Sequence, residues 1–136
     1  MKYSTTQQKL FSAALAASKN AYAPYSRFAV GAAVLTEDGS IITGCNIENR
    51  SYGLTVCAER TAILKAISER QKPIALVLAT PDADYPVAPC GACRQVISEF
   101  MPEDSPILFG NSLETAVLTT VKELYPFDSL HELAKH

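Results

Sequence analysis

Three cysteines and a glutamate occur in two short segments of the sequence, residues 57–60 and 89–94. Cys90 and Cys93 are three residues apart, so on a helix they share a face and can hold one metal ion together with Cys57. Both segments stand where a helix is expected to follow a loop, and the unpaired N–H groups there favour thiolate over thiol. Three thiolates and one open position form the catalytic kind of tetrahedral zinc site, whose fourth ligand is water.

Glu59 adds a proton-transfer group to this cluster. It lies two residues after Cys57 in the same first helical turn, so it can reach a zinc-bound water without ligating the metal. Zinc-dependent base deaminases share a pattern of one histidine or cysteine ligand, a glutamate two residues later and a distant P-C-x-x-C pair. Cys57, Glu59 and residues 89–93 match all parts of that pattern, which favours hydrolytic deamination.

Spacing alone leaves alternatives open for the cysteines. The segment from Cys90 to Cys93 also has the form of a thiol-disulfide redox motif, and by itself it does not distinguish redox chemistry from metal binding. Cys45 would close a structural zinc site as a fourth ligand, but structural sites usually use two short-spaced pairs. We therefore expect Cys45 to be a buried, inert side chain. His131 and His136 lie in the C-terminal tail, where we expect both to face solvent.

The composition fits one globular domain over residues 1–136. Hydrophobic residues make up 48% and charged residues 19% of the chain, which excludes the disordered and coiled-coil classes. Twelve Lys and Arg against fourteen Asp and Glu give a net charge of −2, so no basic field is available to bind a nucleic acid backbone. No apolar run is long enough to cross a bilayer, so a membrane is not an expected partner. Nucleic acid is not expected either, because of the net charge.

The N-terminal segment resembles a secretion signal, but its pattern favours a folded helix. Leu10, Phe11 and Ala14 fall on one helical stripe, and Ser4 with Gln7 matches a capping box, which marks a helix start. We therefore expect a cytoplasmic protein, in which cysteines stay reduced and available for metal binding.

Hydrophobic periodicity and turn signals predict the elements that must position these residues. Asp38-Gly39 between two apolar runs is a strong hairpin signal, and the continuous apolar run 74–79 indicates a strand buried on both faces. A hairpin joined to alternating helices and strands implies a mixed sheet with helices on both faces. The pattern predicts helices over about 5–19, 57–69, 90–100 and 129–135, a short helix begun by Thr120, and strands near 28–34, 41–43, 74–79, 107–109 and 116–118.

Over nearly its whole length the sequence resembles the cytidine deaminases, in the short form that holds zinc with three cysteines. The resemblance implies an α/β fold, a three-layer α/β/α sandwich with a mixed, mostly parallel five-stranded sheet. It also implies one Zn²⁺ per subunit, bound by Cys57, Cys90 and Cys93, with Glu59 as the catalytic proton shuttle. The segments that carry the resemblance are residues 23–28, 30–33, 44–49, 57–62 and 89–97.

The resemblance assigns substrate contacts as well. Asn46 and Glu48 match the pair that binds the ribose hydroxyls, and Phe28 matches an aromatic residue that lines the nucleoside pocket. The backbone of Ala58 would meet the pyrimidine edge. Tyr52 matches a residue near a neighbouring subunit's site, because family members of this length are usually homotetramers with shared active sites.

Arg60 matches an arginine that contacts the zinc thiolates, and charge gives it a reason to do so. Three thiolates leave one net negative charge on the site, and such an electron-rich zinc is a poorer Lewis acid. Arg60 lies one helical turn after Cys57, where it can donate hydrogen bonds to sulfur.

Near the C-terminus the sequence departs from the family, since Pro126 and Phe127 are adjacent. This departure leaves a stacking role for Phe127 open.

The implied activity is zinc-dependent hydrolytic deamination of free cytidine and deoxycytidine to uridine and deoxyuridine, with release of ammonia, in pyrimidine salvage. Two alternatives share the zinc chemistry: deamination of a cytosine nucleoside antibiotic, or of a base within RNA or DNA. The net charge of −2 and the presence of Asn46 and Glu48 argue against a nucleic acid substrate.

Overall fold

The computed structural model describes residues 2–130 and Leu133, and its helices and strands follow the predicted order. The last predicted helix, over 129–135, lies largely outside the described residues, as do both histidines. The short helix predicted at Thr120 is present. The elements are α1 (Thr5–Ser18), β1 (Gly31–Thr36), β2 (Ile41–Cys45), α2 (Ala58–Ser68), β3 (Pro73–Ala79), α3 (Gly91–Phe100), β4 (Pro106–Gly110), β5 (Val117–Thr120) and α4 (Val121–Leu124), with a 3₁₀ turn at Tyr52–Leu54.

The helices begin at local capping signals. The Ser4 hydroxyl accepts a hydrogen bond from the N–H of Gln7 at 3.1 Å, and the N–H of Ser4 donates to the Gln7 side chain, which confirms the capping box. Cys57 and Cys90 occupy the N-cap positions of α2 and α3, so two of the three predicted ligand cysteines stand at helix starts. In the described part of the chain, no helix has the length and apolarity needed to span a membrane.

Within the described residues, five strands form one mixed sheet in the order β2-β1-β3-β4-β5. The β3–β4 pair is parallel, whereas β1–β2, β1–β3 and β4–β5 are antiparallel, so the prediction of a mostly parallel sheet is wrong. After α2 the chain runs in the same direction as β2. β3 does not pair with β2, however, but with the other edge of β1, and that pair is antiparallel. The connection through α3 joins immediate neighbours, and there the helical crossover gives a parallel pair.

Helices cover both faces of the sheet, which confirms the three-layer α/β/α arrangement. On one face, α1 packs through Leu10, Phe11 and Ala14 against β1 and β3. On the other face, α2 and α3 pack on the alternate residues of the same strands. β3 is buried on both faces, as its continuous apolar sequence predicts. Side chains that meet on the α2–α3 face include Ala32, Val34, Ala62, Ile63, Leu78 and Ile97.

The strand register brings three loops to one edge of the sheet. Gly31 at the start of β1 pairs with Cys45 at the end of β2 and with Ala79 at the end of β3. The chain entering β1 and the chains leaving β2 and β3 therefore meet there. We call this region the site edge; its segments are residues 22–30, 46–57 and 80–90.

Two glycines let the helices approach the sheet closely. A Cβ on Gly31 would lie 1.8 Å from the carbonyl oxygen of Ala14 in α1, and a Cβ on Gly44 would lie 2.6 Å from the backbone nitrogen of Ala62 in α2. Both distances are far below van der Waals contact, so a larger residue would push the helix away from its strand. Gly44 therefore fixes the position of α2, and with it that of Cys57.

Candidate active site

The three predicted ligand cysteines converge at the N-terminal ends of α2 and α3. The Sγ atoms of Cys57 and Cys90 lie 3.9 Å apart, and those of Cys90 and Cys93 lie 3.4 Å apart. All three thiols are free, and their sulfurs lie within 4.8 Å of one another. Tetrahedral zinc with bonds of about 2.3 Å separates its sulfur ligands by about 3.8 Å, so these residues fit one zinc ion.

Cys45 lies outside this cluster. It is the last residue of β2, and it is partly exposed, whereas we expected it to be buried. The reason is its place on an edge strand, which has a neighbouring strand on one side only. Its separation from the cluster leaves Cys57 as the third partner of the Cys90 and Cys93 pair, and a three-sulfur group favours metal binding over redox exchange.

Hydrogen bonds stabilise a thiolate at Cys57. Nη2 of Arg60 donates to its Sγ at 3.3 Å, one helical turn away as predicted. A hydrogen bond from Cys93 has the largest effect, and together with Arg60 it lowers the pKa of Cys57 to about 5 against the opposing effect of burial. The same hydrogen bond to Cys57 raises the pKa of Cys93, so a bound metal must displace the Cys93 proton.

The Arg60 guanidinium retains an unused donor beside the sulfurs. Its Nε is buried and has no hydrogen-bond partner among the described residues. The hydrogen bond to the Cys57 thiolate raises the pKa of Arg60, so this side chain stays charged. A fixed cation of this kind offsets the negative charge that three thiolates bring to the site.

Glu59 is buried at the second position of α2, with 3% of its surface exposed, and it lines the same cavity as Cys57 and Cys90. Burial raises the pKa of its carboxyl group to about 7, and the nearby charge of Cys57 adds to the rise. A carboxyl group that titrates near neutral pH can both accept and donate a proton during a reaction. Glu59 therefore has the properties of a general acid and base.

A cavity of about 380 Å³ joins the cysteine cluster to the predicted substrate residues. Its size lies within the roughly 300–1,000 Å³ of small-molecule sites. Cys93 and Arg60 are not in its wall and contact the other ligand sulfurs instead. The predicted site residues that line the cavity are Phe28, Asn46, Glu48, Tyr52, Cys57, Ala58, Glu59 and Cys90.

Asn46 and Glu48 are buried and are held in place by the segment that enters β1. Oδ1 of Asn46 accepts a hydrogen bond from the N–H of Val30 at 2.9 Å, and its Nδ2 donates to the carbonyl oxygen of Phe28 at 2.8 Å. The Glu48 carboxylate accepts hydrogen bonds from Ser26, whose hydroxyl is the main cause of a lowered pKa at Glu48. The two side chains are thus oriented before any ligand binds.

The remaining predicted contacts lie around the mouth and floor of the cavity. Ala58 is the buried first residue of α2, where a backbone N–H has no intrahelical partner. Tyr52 is 58% exposed at the rim, and its ring packs edge-on against that of Tyr25 with centroids 6.5 Å apart. The role of Tyr52 at a neighbouring subunit's site stays a prediction.

Three polar residues at the site edge were not found from the sequence. Ser26 lines the cavity and contacts Glu48. Thr80 also lines it, and its buried hydroxyl oxygen has no partner within the described residues. Oδ2 of Asp82 accepts a hydrogen bond from the N–H of Ala29 at 2.8 Å and so ties two loops together. Short polar residues in loops are common, so no sequence pattern distinguishes these.

Residues 4–108 match a family model described as the cytidine and deoxycytidylate deaminase zinc-binding region. The match includes the three clustered cysteines, Glu59 and both Asn46 and Glu48. The matched region therefore contains all of the predicted site residues that line the cavity or belong to the cysteine cluster.

Individual relatives agree with this match. A cytidine deaminase from Halalkalibacterium halodurans is 51% identical over 120 residues, which cover 88% of this chain and 91% of that protein. The crystal structure of cytidine deaminase from Burkholderia pseudomallei has a TM-score of 0.83 at 42% identity, covering 88% of this chain and 95% of that one. A blasticidin-S deaminase from Bacillus cereus is 38% identical over 105 residues, which cover 71% of this chain and 74% of that protein.

Proposed function

Because the chain belongs to the cytidine and deoxycytidylate deaminase family, we propose that it hydrolyses free cytidine and deoxycytidine to uridine and deoxyuridine with release of ammonia. The observation that carries this proposal is the position of Glu59, buried beside the three thiols in a cavity that also contains Asn46 and Glu48. Residues 1–136 act as a single catalytic domain in this proposal.

The metal site of the proposed enzyme is formed by Cys57, Cys90 and Cys93, whose sulfur spacing fits one Zn²⁺. When bound, zinc lowers the pKa of a water ligand and so supplies a nucleophile near neutral pH. Arg60 donates a hydrogen bond to Cys57 and withdraws charge from the sulfur.

Glu59 moves the protons of the reaction. It accepts a proton from the attacking water and delivers it to N3 of the cytosine ring, which makes C4 more electrophilic. It then carries the second water proton, from the hydroxyl group now on C4, to the amino group, which leaves as ammonia while the C4–O bond becomes the carbonyl group of the product. The buried position of Glu59 in the cavity, beside Cys57 and Cys90, supports this two-way role.

The sugar and the base are bound by the other cavity residues. The Glu48 carboxylate accepts a hydrogen bond from a ribose hydroxyl, and Asn46 donates one, since each retains unused hydrogen-bonding capacity. The Phe28 ring contacts the nucleoside, and the N-terminal backbone of α2 at Ala58 meets the polar edge of the pyrimidine. The buried positions of Asn46, Glu48 and Ala58 within a cavity of small-molecule size support a free nucleoside as the substrate.

Replacement of the proton carrier tests the proposed reaction. The zinc-loaded protein should convert cytidine to uridine, followed by the change in ultraviolet absorbance, and Glu59→Gln should reduce the rate roughly 10²–10⁴-fold because proton transfer is lost. Glu99→Gln is a matched control, because Glu99 is exposed on α3 away from the cavity. Absence of cytidine turnover by the zinc-loaded parent would contradict the proposal.

A second candidate is deamination of a cytosine nucleoside antibiotic, which the similarity to a blasticidin-S deaminase raises. The two candidate substrates differ in the sugar group attached to cytosine. Only the substrate with a ribose is expected to need Asn46 and Glu48. Comparing kcat/KM for cytidine and for blasticidin S in the parent and in Glu48→Gln separates them. A nucleoside deaminase should prefer cytidine and should lose that preference in Glu48→Gln.

A base within RNA or DNA is a further alternative. It is tested by measuring deamination of cytosine in a single-stranded oligonucleotide.

We further propose that the enzyme is a cytoplasmic homotetramer that serves pyrimidine salvage. Several exposed apolar side chains lie in the site-edge segments, where the rings of Tyr25 and Tyr52 pack together and Tyr22 pairs with Ile47, and contiguous patches of this kind mark protein interfaces. Tyr52 belongs to both the patch and the cavity, which supports active sites shared between copies. This rim patch consists of Tyr22, Tyr25, Ile47, Tyr52 and Leu54.

Sedimentation equilibrium tests the assembly. The parent should sediment at the mass of four chains, and Leu54→Asp should shift it toward smaller species because a charge in an apolar interface is costly. Leu118→Asp serves as the control, since Leu118 is equally an exposed leucine but lies on β5, outside the rim patch. A monomeric parent would contradict the proposal.

A further inference from the structure

We propose that Ser26 is a positioning residue for sugar recognition: it fixes the Glu48 carboxylate as an acceptor toward the cavity and so selects substrates with a free sugar hydroxyl. This inference rests on the proposed function, in which Glu48 binds the sugar. Neither residue is close in sequence to the other, so the relation is visible only in the fold.

Glu48 is surrounded by donors from one short segment of chain. Its Oε1 accepts hydrogen bonds from the backbone N–H groups of Tyr25 at 3.0 Å and of Ser26 at 3.1 Å. Its Oε2 lies 2.5 Å from the Ser26 hydroxyl oxygen. The residue is only 5% exposed, yet it lines the cavity and so borders the ligand space.

The Ser26 hydroxyl can point in one direction only. Its oxygen accepts a hydrogen bond from the N–H of Phe28 at 3.0 Å, and its single hydrogen is therefore directed at Glu48 Oε2. Three donors from this segment face the carboxylate, the Tyr52 side chain adds a smaller hydrogen-bond contribution, and each favours the ionised form. An ionised carboxylate has no hydrogen to give, so whatever binds it from the cavity must donate.

Asn46 supplies the complementary half of this arrangement. One of its two amide hydrogens is used by the Phe28 carbonyl, and one lone pair of its oxygen by Val30, so a second amide hydrogen remains as a donor for a ligand, together with one lone pair. A group that donates to Glu48 and accepts from Asn46 fits both. A sugar hydroxyl does this, whereas a hydrogen or fluorine at the same carbon does not.

The loop that carries Ser26 has other attachments, so its position does not depend on Ser26 alone. Asp82 accepts a hydrogen bond from Ala29, and the Asn46 amide bridges Phe28 and Val30. Removing the Ser26 hydroxyl should therefore leave the loop in place and release only Oε2 of Glu48, while Oε1 stays held by the backbone N–H groups of Tyr25 and Ser26.

The test compares cytidine with 2′,3′-dideoxycytidine, using zinc-loaded protein. Ser26→Ala should raise KM for cytidine about tenfold with little change in kcat, because the lost hydrogen bond to a charged group serves binding. It should change kcat/KM for the dideoxynucleoside less than about twofold. Ser26→Thr, which keeps the hydroxyl, should restore most of the cytidine activity. In a Glu48→Gln background, Ser26→Ala should have no further effect.

Asp82→Ala is the control for general loosening of the loop, since it removes a loop attachment without touching Glu48; it should affect both nucleosides alike. Equal losses on both nucleosides in Ser26→Ala, no loss on cytidine, or a tenfold loss that persists with Glu48→Gln would each overturn the inference. If Ser26→Ala does not fold, Ser26→Cys replaces it, and its weaker donor should give an intermediate KM. A parent inactive on every cytosine nucleoside would instead overturn the proposed function, and this inference with it.

Discussion

Among single residues, Arg60 has the most direct influence on the charge of the metal site. It donates to the Cys57 sulfur at 3.3 Å and keeps a second buried donor beside the cluster. Three thiolates around a divalent metal leave one net negative charge, which weakens the metal as a Lewis acid. The guanidinium reduces that charge without occupying a ligand position.

We predict that Arg60→Gln lowers kcat about tenfold while the zinc content per chain stays close to that of the parent. The reason is that a charge-assisted hydrogen bond to sulfur is lost, whereas all three ligands remain. Steady-state kinetics and atomic absorption measure the two quantities. Lys65→Gln, an exposed cation on the same helix, should change neither. Turnover equal to that of the parent in Arg60→Gln would exclude the tuning role.

The sequence allowed the clustering of the cysteines with Glu59 to be predicted, but not the contacts that orient the neighbouring cavity residues. The spacing of Cys57 and Glu59, and that of Cys90 and Cys93, falls within one helical turn and is a local property. The deaminase pattern then joins the two segments into one group. The contact of Ser26 with Glu48, and that of Asp82 with Ala29, depends on which loops the sheet brings together. Such contacts have no local signature, because serine and aspartate are ordinary loop residues.

Among the elements, the contact between β2 and α2 determines the position of Cys57, the first of the proposed metal ligands. α2 starts at the N-cap Cys57 and passes over Gly44, where it lies too close to the strand for any side chain. The same contact places Ala58 and Glu59 at the cavity. The chemistry of the site therefore depends on a residue that has no reactive group.

We predict that Gly44→Ala destabilises the fold by about 1–3 kcal/mol and reduces zinc affinity, because the added methyl group forces α2 away from the sheet. Urea unfolding and a zinc titration measure the two effects. Gly53→Ala is the matched control: a Cβ there meets nothing within 4 Å, so its effect should stay within about 0.5 kcal/mol. Equal stability of the two variants would show that α2 adjusts without cost.

Element type and order could be predicted because periodicity, caps and turn residues are local, but strand pairing could not. The run 74–79 predicts a buried strand, yet nothing in it shows that β3 lies next to β1 and not next to β2. The start of β1 was also predicted too early, at residue 28. The Asn46 amide binds the backbone of Phe28 and Val30, which keeps these residues out of the regular strand.

For the molecule as a whole, the metal cluster connects two helices that otherwise meet through side-chain packing. Cys57 begins α2, and Cys90 and Cys93 belong to the start of α3, so a bound ion would join both helix ends. A metal that binds the folded state and not the unfolded state adds its binding free energy to stability.

We predict that removing zinc with a chelator lowers the midpoint of thermal unfolding by at least several degrees, as differential scanning calorimetry would measure. Cys45→Ser should show the same decrease as the parent, because Cys45 lies outside the cluster. Cys93→Ser should show little or no response to the chelator, since one ligand is already lost. A similar response in Cys93→Ser and parent would mean that the chelator acts elsewhere.

The concentration of the cavity at the site edge has a practical consequence for protein engineering. The hairpin turn between β1 and β2, residues 37–40, lies at the opposite end of these strands and is exposed. Gly39 there has a φ of 90°, and a Cβ on it would meet nothing within 4 Å. This turn is therefore the natural insertion point for an affinity peptide or a fluorescent reporter, at the greatest distance along the strands from the reacting groups.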